Sequence, residues 1–553
     1  MITIEVNNEN LDLGKVNITF ELLSPVFNQM GSFSYPFTFP ATLKNKRLLD
    51  FPGRINKHIV AANSFDSTIF LKGIFWKKGK LIVTEIGDET IKAHFTIGEG
   101  YFYSLINDLK LSAIDLGGNR DFYDYIGDVN TFPWEKIYDK SYPDNDFVVF
   151  PFHIPNFYDD SAKGTFLNET FGGKVNYFTH PNNHYAHSDN TFVLFPFLNY
   201  VLTRIFSHLN IFFTKNSFLD DASLKQLTLF NINTERAWHP DDLIYSTVIK
   251  RFNLSDYMPD ITVSELFGKL ENLFKSYVFF DEFNNSIKIL FLKDILADFE
   301  TYSITSKIKT NYIKPNDYDG FEMTYDIDGG DDFADDYFGD ISQFNFKGYV
   351  ANLASLPNTG NEFLDMYYVE DVREYHYYQL NFTGAGGQFV FYASDKDGYS
   401  EGNKGLQIEI PGVFPRNGFE PTCGNSGHWQ VIDDPWSNSL RPDFRLIFWH
   451  GLINNIPFGS PFNLSPAGEV ISDYSLEWEG AYGLKEKFYK NVMEFYQKTL
   501  EGEFFIHFNP AELKNIDFSR KYRFYNANWL FSKIIFSVTN DSISPAKVTA
   551  FKI

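Results

Sequence analysis

The sequence predicts a β-rich α+β protein made of several small antiparallel β-barrel or sandwich domains with a few packed amphipathic helices. Short runs of alternating apolar and polar residues, bounded by Gly, Asn and Asp, recur along the chain. Apolar residues at helical spacing form stripes in three places only. The chain has 553 residues and is 44% hydrophobic, which suits about three or four domains with real cores, at ~150 residues each.

The first predicted domain, residues 1–118, is a β-barrel with an extended arm. Its alternating or apolar runs are Ile2–Val6, Val16–Phe20, Ser67–Leu71, Lys80–Ile86 and Thr90–Ile97. Between them, Gly31–Pro40 and then Asn45–Arg54 have no periodicity, and the two prolines Pro36 and Pro40 favour an extended, non-helical backbone. We expect this arm to lie along a neighbouring surface.

Residues 119–190 form a predicted loop-rich connector, because Asp, Asn, Pro, Tyr and His dominate there without periodicity. Residues 191–314 then form an α+β helix–hairpin domain. Its first helix has Leu198, Val201, Leu202, Ile205, Phe206 and Leu209 on one face. Its second helix begins at a capping box of Thr262 and Glu265. Strands Tyr277–Asp281 and Ser286–Leu292 follow as a hairpin.

The second half of the chain contains three predicted parts. Residues 315–365 are an acidic connector, since residues 315–340 hold nine Asp, one Glu and no Lys or Arg. Residues 366–470 are a β-rich inserted domain with runs Tyr377–Phe382, Gln388–Ala393, Gly405–Ile410 and Phe444–Trp449. Residues 471–553 are a C-terminal helix plus antiparallel sheet. Leu484, Phe488, Val492, Phe495 and Tyr496 share one helical face, and Gly502 is the expected helix end. The predicted strands are Phe504–Phe508, Tyr522–Val538 and Lys547–Ile553.

Charge and cysteine content exclude several classes of protein. A net charge of −23 argues against nucleic acid as a direct partner, because phosphate binding requires clustered Lys and Arg. The single cysteine, Cys423, excludes an intramolecular disulfide framework and a Cys-based zinc site. No run approaches the ~18 apolar residues of a membrane span, and the first residues are strand-like rather than a secretion signal. We expect synthesis in a bacterial cytoplasm and no membrane insertion.

Several clusters resemble metal or catalytic motifs without their full pattern. His180, His184, His187 and Asp189 have ligand-like spacing, but Pro181 interrupts the helix that would align them. Two acidic clusters lack the EF-hand order: Asp326, Asp328, Asp331 and Asp332, and separately Asp395, Asp397 and Glu401. Cys423–His428 is similar to the loop around a serine-protease nucleophile but lacks its Asp. The 71 acidic residues single out no glycosidase pair. We therefore predict no catalytic, cofactor-binding or metal residue, and no enzyme activity.

Four stretches together carry a resemblance to a known family: Leu23–Phe27 leading to Gly31–Pro40 and Phe51–Arg54, Leu254–Leu266 with its helix and hairpin, Ser475–Lys485, and Ile516–Phe524. They resemble tail-hub or tail-tip structural proteins, similar to baseplate hubs, of tailed phages and prophages of Bacteroidetes-type bacteria. The resemblance spans most of the chain and is weakest over 119–190 and 366–440.

The resemblance implies a virion protein of the phage tail that forms a trimeric ring. Residues 1–110 and 471–553 would be its two tube-like barrels. The implied partners are the tail tube or distal tail protein, spike or fibre proteins, and two further copies of the chain. DNA would pass transiently through the lumen, where an acidic wall would repel it.

The 366–470 region is longer than a minimal hub needs, which leaves two alternatives open. The first is a receptor-binding tail protein that recognises a surface glycan, for which Trp429, Trp436 and Trp449 are the residues to inspect, although core packing is the expected role of a tryptophan. The second is a tail-associated cell-wall hydrolase.

Overall fold

The computed structural model describes residues 2–28, 30–50, 64–121, 140–153, 191–231, 251–316, 444–453, 456–465, 469–476 and 480–553. It also gives the backbone of short strands within 166–186, 233–236 and 321–432. The described chain is β-rich with few helices, and it contains one large curled antiparallel sheet and several small sheets. Among the described helices, none is long and apolar enough to span a membrane.

The N-terminal segment consists of strands of the large sheet and two short helices. The strands are β1 Ile2–Val6, β2 Glu9–Asn10, β3 Asn17–Leu23, β4 Ser32–Ser34, β5 Phe37–Pro40, β6 Ser64–Leu71, β7 Ile74–Ile86 and β8 Thr90–Ile97. Helix α1 is Leu43–Leu48 and α2 is Glu99–Ile106. The predicted alternation is confirmed in β1, where Ile2, Ile4 and Val6 are buried and the residues between them are not.

The stretch predicted as an arm lies within the chain's own sheet. Its extended backbone forms β4 and β5, which pair with β3 and with β8. Phe37 and Phe39 are buried and in contact with each other, and Phe37 also stacks on Phe95, so burial of these rings in the chain's own core holds the stretch in place.

The middle of the chain forms a module of helices around a small sheet. Its elements are α3 Leu198–His208, β9 Phe212–Asn216, α4 Ser217–Asp220, β10 Leu227–Phe230, α5 Val263–Phe274, β11 Ser276–Asp281, β12 Ser286–Phe291 and α6 Leu292–Ala297. The predicted capping box at the start of α5 is confirmed, with Thr262 and Glu265 satisfying each other's backbone amides. The predicted hairpin is confirmed as β11–β12, and β9 adds to it in parallel. Its turn uses Asn285 at a φ of 48°, a conformation that Asn tolerates.

The last part of the chain supplies the other half of the large sheet. Its elements are β13 Thr301–Ser303, β14 Ile308–Pro315, β15 Arg445–Ile453, β16 Ile456–Ser460, a π-helical turn Lys485–Tyr489, α7 Lys490–Lys498, β17 Leu500–Ile506, α8 Pro510–Lys514, β18 Lys521–Phe524, β19 Ala527–Thr539 and β20 Ala546–Lys552. The predicted C-terminal helix is confirmed, with Leu484, Phe488, Val492 and Phe495 buried.

Two details of the C-terminal prediction are wrong. Gly502 does not end the helix, which stops at Thr499; it lies in β17, where a Cβ would meet the Phe504 ring at 2.5 Å and Trp529 at 2.9 Å. The run predicted as one strand from Tyr522 is divided into β18 and β19. Tyr525 and Asn526 both have positive φ, which is the geometry of a two-residue hairpin turn.

A single sheet of 14 strands joins the two ends of the chain. Its main path runs β2-β1-β6-β7-β8-β4-β3-β19-β20-β17-β14, with β5, β13 and β18 at its side. The joint is the antiparallel pairing of β3 with β19, from Asn17 opposite Thr539 to Leu23 opposite Lys533. One continuous core underlies the sheet and the middle module.

A second, smaller core lies beside the first. It gathers Val148, Phe150, Phe152, Val193, Phe195, Phe197, Phe230, Ile447 and Trp449. Trp449 is 2% exposed and stacks near Phe150, so its role is core packing rather than surface sugar binding. Trp429 and Trp436, much of the acidic 315–340 stretch and Gln388–Ala393 lie outside the described residues. The domain boundaries drawn from the sequence stay predictions.

Candidate functional site

Three segments that are distant in the chain meet around one cavity of about 440 Å³, which we call the junction pocket. The N-terminal strands contribute one wall, the β11–β12 hairpin a second, and the loop between α8 and β18 the third. Its lining residues are Leu22, Ser32, Lys77, Glu99, Phe279, Phe280, Asp281, Glu282, Lys288, Tyr302, Lys514, Asn515, Ile516, Asp517, Phe518 and Arg520. The pocket therefore sits where the sheet and the middle module join.

An ion pair and a second carboxylate line the pocket. Lys77 Nζ, on β7, lies 2.8 Å from Glu282 Oε1 and 3.0 Å from Oε2. Both side chains are largely buried, at 15% and 6% exposed. Glu99, the first residue of α2, is 8% exposed, and Ser32 Oγ donates to its Oε2 at 3.4 Å. Lys77 thus pairs with Glu282, and Glu99 lies near enough for its charge to act on the same ammonium.

Burial and charge shift the protonation of this cluster in defined directions. The pKa of Glu99 is raised to about 7, chiefly because the carboxyl is buried. The positive charge of Lys77 acts against this rise, and the negative charge of Glu282 adds to it. Burial alone would lower the pKa of Lys77, but the carboxylates of Glu282 and Glu99 more than offset that, so its pKa is raised. Lys77 therefore stays charged, and Glu99 is the group that can exchange a proton near neutral pH.

A second ionic contact fixes the third wall of the pocket. Lys288 Nζ donates to Asp517 Oδ2 at 2.7 Å, which ties β12 to the C-terminal loop. Ser519 donates its backbone N–H and its hydroxyl to Asp517 Oδ1, at 2.9 and 2.5 Å. Burial opposes ionisation of Asp517, but Lys288 and these donors overcome it and hold its pKa below the usual range. Tyr522 brackets the same residue, accepting from its N–H and donating to its carbonyl.

Close backbone packing holds α2 against β4 beside the pocket. A Cβ on Gly31, whose φ is +72°, would lie 2.4 Å from the backbone of Gly100, and one on Gly100 would lie 2.5 Å from the Ser32 carbonyl oxygen. Trp76 Nε1 donates to the Leu513 carbonyl at 3.3 Å, which ties β7 to α8. The Glu99 carboxylate is thus held by rigid backbone rather than by a mobile loop.

The motifs singled out in the sequence do not form this pocket. His180 and His184 lie in two short paired strands, Tyr177–His180 and Asn183–Ala186, whose side chains, like His187, Asp189 and the Cys423–His428 loop, lie outside the described residues. Within the described part of the chain, no group of three or more His, Cys, Asp or Glu is arranged to hold a metal ion. Sequence reasoning missed Lys77, Glu99 and Glu282, because single charged residues at strand and helix ends carry no signal of burial.

The Glu99 carboxyl can bind and release a proton near neutral pH. The ion pairs Lys77–Glu282 and Lys288–Asp517 connect the three segments that line the pocket. Its charged groups are carboxylates and amines already engaged with each other, and the Ser32 hydroxyl donates to Glu99 at 3.4 Å. Its physical character is that of a structural joint between parts of the fold.

Comparison with known proteins gives weak structural similarities only. No family model and no curated protein matches the sequence. Among solved structures, the chain is similar to the 43 kDa tail protein of prophage MuSo2 from Shewanella oneidensis, with a TM-score of 0.34, 8% identity, and coverage of 100% of this chain and 98% of the other. It is similar to a tail protein from Neisseria meningitidis MC58, with a TM-score of 0.27, 6% identity, and coverage of 100% and 96%. A third similarity is to the Francisella PdpA–VgrG complex, with a TM-score of 0.29, 8% identity, and coverage of 100% and 52%. These TM-scores are too low to assign function.

Proposed function

We propose that this chain is a structural protein of a phage tail, a hub or tip adaptor that joins the tail tube to distal spike or fibre proteins. Its role in this proposal is mechanical rather than catalytic: one face binds tube-like subunits and another presents a distal protein. The chain is part of the virion and assembles as a homotrimer around a lumen.

The observation that carries the proposal is the pairing of β3 with β19, which joins the two ends of the chain. The resemblance drawn from the sequence implies a tube-like barrel at each end. Strands β1–β8 and β17–β20 are the β-rich ends of this chain, and β3 and β19 unite them in one sheet. A chain that presents its two β-rich ends as one continuous sheet suits a subunit that must match the repeat of a tube above it.

The location of the resembling segments gives further support. Gly31–Pro40 contributes Ser32 to the junction pocket, and Ile516–Phe524 contributes Asp517 and its neighbours. Leu254–Leu266 leads into α5 and the hairpin that closes the same pocket. Two of the stretches that carry the resemblance therefore line the junction pocket, and a third precedes the hairpin that closes it.

Genetic deletion tests the proposal directly. We expect deletion of the gene from its phage or prophage to leave DNA-filled heads without complete tails, visible by negative-stain electron microscopy, and plasmid expression of the chain to restore tailed particles. Complete tails on particles that adsorb poorly would instead indicate a receptor-binding protein. Clearing of cell wall in a zymogram by the purified chain would replace the structural role with a hydrolase.

Homotrimerisation has its own test. Sedimentation of the purified chain, alone and with the tail tube protein, should show a species of three copies in at least one of the two mixtures. A monomer in both would remove the trimer from the proposal.

A further inference from the structure

The buried charges at the junction do not balance. Among the described residues, Lys77 is the cation within ion-pair distance of Glu282, and both Glu282 Oε atoms are 3.0 Å or less from its Nζ. Among the described side chains, Glu99 accepts a hydrogen bond from the Ser32 hydroxyl at 3.4 Å, and it is only 8% exposed. Two ionised carboxylates and one ammonium would leave an uncompensated negative charge inside the protein, which is costly.

The surrounding groups do not remove this excess. From the hairpin, Asp281 and Glu282 add negative charge, and Lys288 is committed to Asp517 at 2.7 Å. From the C-terminal loop, Asp517 raises the cost of ionising Glu99, and Arg520 lies 3.4 Å from that same Asp517. Lys514 Nζ lies 4.5 Å from the centre of the Phe283 ring. On its own helix Tyr103 lies near enough to feel the charge of Glu99, and from β13 the pocket receives Tyr302.

We propose that Glu99, Glu282 and Lys77 form a proton-operated latch that fastens helix α2 of the N-terminal segment to the β11–β12 hairpin. With one proton on Glu99, the cluster holds one carboxylate, one ammonium and one neutral acid, and the junction is closed. Loss of that proton leaves two carboxylates to share one ammonium, and the junction loosens. The cavity of about 440 Å³ beside the cluster gives water a route to the ionised group.

The direction of the pH effect follows from the raised pKa of Glu99. Its ordinary value is 4.5, and burial raises it to about 7 in the closed junction. A carboxyl whose pKa is raised in the closed state stabilises that state fully at pH below 4.5 and loses this contribution as the pH rises through about 7. With these two values, the opening equilibrium constant is about 30-fold larger at about pH 8.5 than at about pH 5.5.

Hydrogen exchange of the full-length chain measures that opening. Peptides that cover 99–106 and 276–291 report the latch, and a peptide from 546–552, which does not contribute to the pocket, reports global opening. After correction for the intrinsic exchange rate, we expect the latch peptides to exchange about 30-fold faster, relative to the reference peptide, at about pH 8.5 than at about pH 5.5. If the corrected exchange rates of all three peptides change equally with pH, the latch proposal is wrong.

Isosteric variants separate the latch from general acid–base effects. Glu99→Gln keeps the shape of the side chain and removes its proton exchange, so the relative pH effect should vanish. Glu282→Gln frees Lys77 to pair with Glu99 and so lowers the pKa of Glu99. Most of the pH-dependent change in relative exchange should then occur below about pH 5.5. Glu494→Gln, at an exposed ion pair on α7, is the matched control and should keep the wild-type profile. If both junction variants keep the wild-type dependence of relative exchange on pH, the proposal is wrong. If either variant fails to fold, the pH dependence of the wild-type chain still tests the proposal.

Discussion

Replacement of one phenylalanine on β19 should destabilise both ends of the chain at once. Phe536 is 1% exposed and faces Phe20 on β3, with ring centroids 5.7 Å apart, and Trp76 on β7, at 5.5 Å. Phe20 is fully buried and lies 4.7 Å from Trp76 in an edge-on arrangement. The three rings therefore form a joint between strands from the two ends of the chain.

The size of the effect follows from burial. Loss of a fully buried phenylalanine ring in a well-packed core costs about 3–5 kcal/mol, so Phe536→Ala should lower the free energy of unfolding by that amount. Direct ring contact predicts a coupling of about 0.5–1.5 kcal/mol between Phe20→Leu and Phe536→Leu in a double-mutant cycle. Phe299→Ala is the control: its ring is 99% exposed, so the change should stay within about 0.5 kcal/mol.

Urea unfolding combined with hydrogen exchange is the assay. Phe536→Ala should lower the unfolding midpoint and increase exchange in peptides 17–23 and 527–539 by the same factor, because the two strands open as one unit. Loss of protection in 527–539 with full protection in 17–23 would refute the joint sheet. A destabilisation below about 1 kcal/mol would refute the packing argument.

Three further predictions concern single positions elsewhere in the fold. Gly502→Ala should lower the free energy of unfolding in urea by about 1–3 kcal/mol, since its Cβ would lie 2.5 Å from the Phe504 ring. Gly268→Ala, in α5 with nothing within 4 Å of the added Cβ, should raise that free energy by about 0.5–1 kcal/mol. A more stable Gly502→Ala than Gly268→Ala would contradict the contact. Thr262→Ala should cost about 1 kcal/mol by loss of the α5 cap, and an unchanged midpoint would count against it. Burial lowers the pKa of His450 from 6.5 to about 4, so its contribution to stability is present above pH 6.5 and is lost as the pH falls through about 4. That loss is about 3 kcal/mol, and His450→Gln should abolish it; an identical acid profile in the variant would show that another group is responsible.

Local patterns in the sequence predicted local structure well. The capping box of Thr262 and Glu265 and the hairpin that follows its helix each depend on neighbours within a few positions, and both lie where the sequence indicated. Helix α2 was not predicted, because its eight residues include a glycine and carry no wide apolar stripe. Its position depends instead on the close approach of Gly100 to Gly31.

The alternation of apolar and polar residues did not indicate which distant parts of the chain are in contact. Thr19 and Ser537, whose hydroxyls lie 2.7 Å apart, are separated by 518 positions. The strands that they join were each expected, but nothing in their alternation specifies which strand lies beside which. The junction pocket has the same origin: Lys77 and Glu282 lie at the margins of separate predicted strands, and only the packing of the hairpin on the sheet buries both.

Immunogold labelling of intact phage particles, with antibody raised against this chain, tests the central claim most directly. A structural hub or tip adaptor predicts gold confined to the distal end of the tail. Gold along fibres, or its absence from purified particles, would contradict that claim.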